Sequence, residues 1–230
     1  MKRTLAHVVI AAATVGGITT AVSGMPASAT AASPSIRSYS ETLSITFTGV
    51  GKDANFLDHT YRSQQVVLSP AIAYYRVVRH ETVSLLNKQS IFKGQYYLVA
   101  GKDYAELNGA KTWTMTPAAP GEVSKDAVTL NLMIGLAKFR AIPGVTRSAP
   151  HQYQVTGTPA KVGGFLTFEY GITARELTSL GIKSVTLTLV TDSAGRPVTY
   201  TIVAKSKLRK VVITEIVTGY NQPVTIKAPA

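Results

Sequence analysis

Apolar and polar residues alternate with period two along much of the chain. Leu43, Ile45 and Phe47 alternate with Ser44, Thr46 and Thr48, a pattern that buries one face of a β-strand and wets the other. The same alternation recurs at Leu166, Phe168 and Tyr170, at Val185, Leu187 and Leu189, and at Val198, Tyr200 and Ile202. The turn residues Asp192-Ser193-Ala194-Gly195-Arg196-Pro197 separate the last two runs, so residues 184–203 are predicted to form a hairpin. Further strands are expected over Val211–Val217 and Val224–Ile226, and in the first half over Gln95–Ala100, Tyr104–Leu107 and Lys111–Met115. Residues 71–80 carry two signals. Ser69-Pro70 can open a helix, whereas Tyr74, Tyr75, Val77 and Val78 favour a strand. Many one-sided strands in succession imply an antiparallel sheet with one covered face.

Two segments depart from this period. Thr173-Ala174-Arg175-Glu176 has capping-box spacing, with Ile172 and Leu177 as the hydrophobic staple and Gly181 available to end a short helix. A second helix is expected over residues 125–140, with Ser124 as its cap and Asp126 in its first turn. Val128, Leu130, Leu132, Met133, Ile134, Leu136, Ala137 and Phe139 leave it only a narrow polar stripe through Asn131 and Lys138. A helix resting on one face of a sheet needs an apolar stripe, not a nearly complete apolar surface. Two readings fit: plain burial in a core, or the wall of a pocket for an apolar guest.

The first thirty residues change the compartment. Lys2 and Arg3 precede an uncharged run from Leu5 to Val22 and then Met25-Pro26-Ala27-Ser28-Ala29, the layout of a secretory signal peptide. Cleavage after Ala29 is expected, with Ala31 as a second site. Residues 30–39 read as a flexible lead-in and residues 40–230 as a single domain. Export leaves 22 bases against 12 acids, a net charge of +10. A basic exported protein is drawn to anionic membrane surfaces or wall polymers and meets no nucleic acid. The densest basic run, Lys205–Lys210, lies between two strand-like runs and reads as a solvated hairpin turn. With 45% hydrophobic residues the chain is no disordered protein, and without cysteine it has neither a disulfide framework nor a lipidated cysteine.

Chemistry has little local support. His59, His80 and His151 are far apart, no H-E-x-x-H or EF-hand spacing occurs, and no G-x-S-x-G elbow is present. Gly49-Val50-Gly51-Lys52 lacks phosphate-loop spacing and reads as a turn. Glu169 is expected on the polar face of a strand and Glu176 in the helix cap. An enzyme is therefore not expected. A hydrolase would need histidine to converge with serine or a carboxylate in the fold. Tyr74, Tyr75, Tyr96, Tyr97, Tyr104 and Trp113 concentrate in the first half, where amphipathic rings serve either packing or a ligand cavity.

The passage Gln95-Tyr96-Tyr97-Leu98-Val99-Ala100-Gly101-Lys102-Asp103-Tyr104, leading to Thr112-Trp113-Thr114, resembles the central passage of the LppX/LprG group of bacterial envelope lipoproteins. Residues 166–180, the hairpin with Asp192, Gly195 and Pro197, and the closing Pro223-Val224-Thr225-Ile226-Lys227-Ala228-Pro229 resemble that group's late elements. The resemblance implies an α+β fold: a strongly curved antiparallel sheet, a LolA-like half-barrel, with helices covering its concave face. It implies a lipid or acylated ligand in a cavity between sheet and helices. Leu130, Met133, Ile134, Leu136, Phe139, Tyr96, Leu98 and Phe168 are the expected lining. No cofactor and no metal are expected. Members of the group commonly carry a lipidated cysteine; its absence here implies a secreted, extracytoplasmic form without a lipid anchor. The alternative is an envelope interaction or sensor module with a packed core, binding a protein partner or an anionic wall polymer.

Overall fold

The computed structural model describes residues 35–83 and 89–230. The expected signal peptide and residues 30–34 of the lead-in lie outside them. The chain begins at the centre of its sheet. β1 (Ser38–Gly49), β2 (Leu57–Val67), β3 (Ala73–Val83), β4 (Gln89–Val99), β5 (Lys102–Leu107) and β6 (Thr114–Pro117) step outward to one edge. Helices α1 (Pro120–Thr129) and α2 (Leu132–Arg140) then carry the chain to the opposite edge, where β7 (Thr146–Ala149) and β8 (Gln152–Gly157) start a return. Helices α3 (Pro159–Tyr170) and α4 (Ala174–Ser179) precede β9 (Ser184–Thr191), β10 (Pro197–Lys205) and β11 (Arg209–Thr218). β11 pairs antiparallel with β1 and joins the two halves into one sheet, ordered β6-β5-β4-β3-β2-β1-β11-β10-β9-β8-β7. The edge strands β6 and β7 do not pair, so the sheet is open. Among the described residues the fold is α+β, with eleven antiparallel strands and four α-helices.

Alternation chooses the buried face. Leu43 and Ile45 of β1, Val211 and Ile213 of β11, Tyr200, Ile202 and Ala204 of β10, and Val185, Leu187 and Leu189 of β9 are all buried. Phe139 of α2 and Phe165 of α3 pack on that face, edge to face with each other at 5.5 Å between ring centroids. Each ring also meets Tyr200, at 6.0 and 5.7 Å. A smaller cluster joins Tyr39, Val66, Tyr74, Leu98 and Val217 to Leu130 and Leu132. Tyr39 anchors it by donating its hydroxyl to the Leu130 carbonyl at 2.7 Å.

Local signals explain where the expected elements hold. Glu176 Oε2 accepts from the Thr173 amide at 2.7 Å while Thr173 Oγ1 accepts from the Glu176 amide at 3.2 Å, completing the capping box of α4. The 184–203 hairpin forms as β9 and β10, residues 71–80 fall largely in β3, and Lys205–Lys210 makes the β10–β11 turn.

Several expectations are corrected. Residues 166–170 are the last turns of α3, not a strand. Thr158 caps that helix by accepting from the Lys161 amide, Pro159 occupies its first turn, and Gly171 ends it at φ 67°. Buried Val162, Phe165, Leu166 and Tyr170 follow helical spacing, and the apparent alternation shares only Leu166 and Tyr170 with that set. The helix expected over 125–140 is two helices. Asn131 breaks it and caps α2 by accepting from the Met133 amide at 3.0 Å, while Ser124 lies inside α1 and donates to the Pro120 carbonyl. β1 starts at Ser38, two residues inside the expected lead-in, because Tyr39 is fully buried. Val224–Ile226 forms no strand. β2, β7 and β8 were not foreseen; the buried face of β2 carries Thr60 and Gln64, so it shows no apolar period.

Phe139→Ala removes a ring that meets two aromatic neighbours, Phe165 and Tyr200. Urea denaturation should show a loss of about 3–5 kcal/mol relative to the wild type.

Candidate functional site

The middle of the inner face is polar. Tyr39, Glu41, Leu43 and Ile45 alternate inward on β1, so a carboxylate stands among apolar neighbours. The register sets Glu41 opposite Gln64 of β2, Leu43 opposite both Arg62 of β2 and Glu215 of β11, and Gln64 opposite Arg76 of β3. These side chains join into a row. Arg62 donates to Glu41 Oε1 through Nη2 and through Nε at 3.2 Å. Gln64 Nε2 donates to Glu41 Oε2 at 2.6 Å, and Arg76 Nε donates to Gln64 Oε1 at 2.9 Å. Glu41, Gln64 and Glu215 are 4%, 3% and 2% exposed. Ionised groups so far from water are tolerated only when paired and hydrogen-bonded.

Two further carboxyls reach this row. Tyr170 of α3 donates to Glu215 Oε2 at 2.8 Å. Glu169, the preceding residue, lies against Gly135 of α2, where an added Cβ would come within 1.9 Å of Glu169 Oε1. Any side chain at position 135 would thus displace the carboxyl. Burial, and then the nearby Glu41 charge, push the Glu169 pKa up to about 8. Burial, followed by Glu41 and Glu169, pushes Glu215 well above the usual carboxylate range. Burial alone would lower Arg62, but the Glu41 charge and hydrogen bond raise it. Glu41 and Arg62 form the ion pair of the row, and at neutral pH Glu169 holds its proton. Tyr200 brings one more polar group, a buried hydroxyl without a hydrogen-bond partner among the described residues.

Beyond the row, on β3 and β4, the inner face is half-exposed. Val78, His80, Phe92 and Tyr96 stand there, with Leu98 and Tyr74 buried beside them. The helix closest in sequence, α1, buries none of its residues. His80 Nε2 lies 2.6 Å from Asp58 Oδ1 and 3.1 Å from Thr82 Oγ1. On the outer face, Ser44 Oγ and His59 Nε2 are 2.9 Å apart, a serine–histidine approach of the kind a hydrolase reading asks for. β1 is bonded along both sides, to β2 and β11. Its amides are therefore committed to ladders, and none remains for an oxyanion hole beside Ser44.

Most of the expected lining residues divide between the two packed clusters. Leu136 and Phe139 are buried in the larger cluster, with Met133 packed against it. Leu130 and Leu98 are buried in the smaller cluster, with Tyr96 packed against it. Ile134 is half-buried. Phe168 is a half-buried helix residue with the Lys138 ammonium 4.5 Å above its ring. Two concavities, of about 230 and 360 Å³, open on the outer face under the C-terminal segment, lined by Ser38 and Val67 and by Tyr75 and Tyr97 respectively. Glu41, Arg62, Gln64 and Arg76 were missed by sequence reasoning. Extending the β1 alternation back by one step would have set Glu41 in the row of Leu43, and Val211, Ile213, Glu215 and Val217 carry the same sign on β11. Glu169, expected on the wet face of a strand, sits instead at the junction of α3 and α2.

Fold and site together define an α+β protein with an open antiparallel sheet, half of whose inner face is a packed core and half of which is polar and partly open. No family model matches the chain, and no curated protein matches it. Among solved structures, LprF from Mycobacterium bovis is 14% identical over 83% of this chain and 90% of its own, with a TM-score of 0.41. A β-barrel-like protein of a domain of unknown function from Brucella abortus is 9% identical over 81% of this chain and 100% of its own, with a TM-score of 0.26.

The raised carboxyls set a pH dependence. The folded state binds more protons than the unfolded chain between the ordinary carboxylate range and about pH 8, so stability falls as pH rises through that window. Urea denaturation at pH 5 and pH 8 should show the wild type losing on the order of 1–2 kcal/mol. Glu169→Gln should lose clearly less, whereas an unchanged loss would exclude Glu169 as the source.

Proposed function

We propose that this is an exported, non-enzymatic binding protein of the bacterial envelope, which holds an apolar or acylated ligand against the inner face of β3 and β4. The observation that carries this reading is the half-exposed strip of Val78, Phe92 and Tyr96, continuous with buried Leu98 and Tyr74 and beside a helix that buries no residue. Apolar surface lying along a sheet gains about 0.8 kcal/mol for each CH₂ that a guest buries there. Displacing α1 would extend the strip, because none of the residues of α1 itself is buried, while Leu130 in its link to α2 stays anchored by Tyr39. The ligand thus lies beside the row of charges and outside the aromatic core around Phe139, which is already filled.

The signal-like first 29 residues support an extracytoplasmic location, and among the described residues no helix is long and apolar enough to cross a membrane. The 22 bases against 12 acids of the exported part favour approach to anionic membrane or wall polymer. A catalytic role has no support in the Ser44–His59 pair.

Organic extraction and mass spectrometry of the protein, exported and purified without detergent, should recover an acylated species at close to one per chain. The empty protein should take up a fluorescent acyl probe, and Val78→Asp should weaken that uptake tenfold or more while the thermal midpoint stays within a few degrees. A protein that neither retains nor takes up acyl chains would instead be a packed interaction module.

A further inference from the structure

Arg76 carries a charge that the fold leaves unmatched. Its Nε is spent on Gln64, and its guanidinium lies over the Tyr74 ring at 4.7 Å. Among the described residues no carboxylate forms an ion pair with it, and its Nη1 and Nη2 donors have no acceptor. The row beside it offers no relief. Glu41 is committed to Arg62 and Gln64, and Arg62 adds a repelling positive charge. Burial, and next Arg62, lower the Arg76 pKa. The Arg76 side chain is only partly buried, so its unspent donors stay within reach of a ligand on the inner face.

The surroundings specify what fits. Tyr96 of β4 stands opposite Arg76 in the register, and Tyr74 precedes it by two residues on the same face. Both phenols are close enough to Arg76 to interact with its charge. A guanidinium fork beside two phenols offers donors to the planar oxygens of a carboxylate or the tetrahedral oxygens of a phosphate. The acids that face this point come from other elements: Asp126 of α1, and Asp103 of β5 next to Tyr74. Asp126 is half-buried and is attracted to Arg76 without forming an ion pair with it.

We propose that Arg76, with the hydroxyls of Tyr74 and Tyr96, is an oxyanion site that takes the carboxylate or phosphate group of an amphiphile whose chain lies along the Val78–Phe92 strip. This rests on the ligand-binding reading above and adds the chemistry of the headgroup. Asp126 then acts as the competing charge: it draws α1 over an empty site and is repelled when an anion arrives.

Calorimetric titration of the exported protein with dodecanoate, dodecanol and inorganic phosphate separates the parts. Dodecanoate should bind at least tenfold more tightly than dodecanol, and Arg76→Gln should reduce that preference to within twofold. Asp126→Asn should tighten dodecanoate binding two- to threefold. Arg76→Lys, which keeps the charge without the fork, should retain part of the preference, and a wild-type thermal midpoint in each variant excludes a folding defect. Equal binding of the two dodecyl probes, unaltered by Arg76→Gln, would overturn the oxyanion site and leave ligand binding intact. Arg76-dependent binding of phosphate with no binding of either dodecyl probe would support the site for a free anion and overturn the acyl reading. Substitutions at Arg76 and Asp126 that change only stability, each cancelling the other, would reduce the two residues to a structural pair and overturn the proposal. Absence of all three ligands from the protein would overturn both readings.

Discussion

The pairing of β1 with β11 is the constraint on which the molecule depends. The first and last strands run side by side for ten residue pairs, from Ser40 with Thr218 to Gly49 with Arg209. Without that ladder the chain would be two separate meanders, each with an exposed edge in place of the sheet's centre. The pairing also forces the helices into position. The chain reaches one edge at β6 and must resume at the other edge with β7, so α1 and α2 have to travel across a face of the sheet. The face they cross is the one with Leu43, Ile45, Leu187 and Ile202, since only there does burial of their apolar sides remove sheet surface from water as well.

The same seam gathers the polar row. Glu41 and Glu215 belong to β1 and β11, and both point inward at the junction of the two meanders. Two buried carboxyls two register steps apart cannot both ionise cheaply. The molecule settles this by giving Glu41 two donors, Arg62 and Gln64, and leaving Glu215 to accept from Tyr170. A hydrophobic pair at these positions would pack at least as well. The polar row instead divides the inner face into a closed aromatic half and a half with room at its surface, and it ends at Arg76.

This division relates the proposed binding role to the fold. A filled core over β9–β11 supplies rigidity through Phe139, Phe165 and Tyr200, while the β3–β4 side retains half-exposed Phe92 and Tyr96 under a helix with little burial. Elements with few buried contacts open at low cost. A site at the boundary between a rigid half and a loosely covered half can thus admit a ligand without disturbing the seam.

Much of this was legible in the residue order. Period-two runs located β1, β9 and β10, strand-favouring runs located β4, β5 and β11, and Thr173 with Glu176 specified the cap of α4, because those signals depend on neighbours in sequence. Leu166–Tyr170 was ambiguous to the same test, since a short apolar set satisfies both periods; Thr158-Pro159 and Gly171 at its ends decide for a helix. β2 escaped because its inward residues are Thr60, Arg62 and Gln64, and nothing local tells such a strand from a loop. The candidate site could not be read locally at all. Glu41, Arg62, Gln64 and Arg76 are each ordinary surface residues by type, and only the register of three strands places them together, with Glu41 and Gln64 out of water. Sequence determined the antiparallel, one-sided character of the strands, through the alternation of side chains along an extended backbone. Tertiary structure alone decided which polar groups are buried, because burial depends on what the long-range β1–β11 pairing and the crossing helices lay over them.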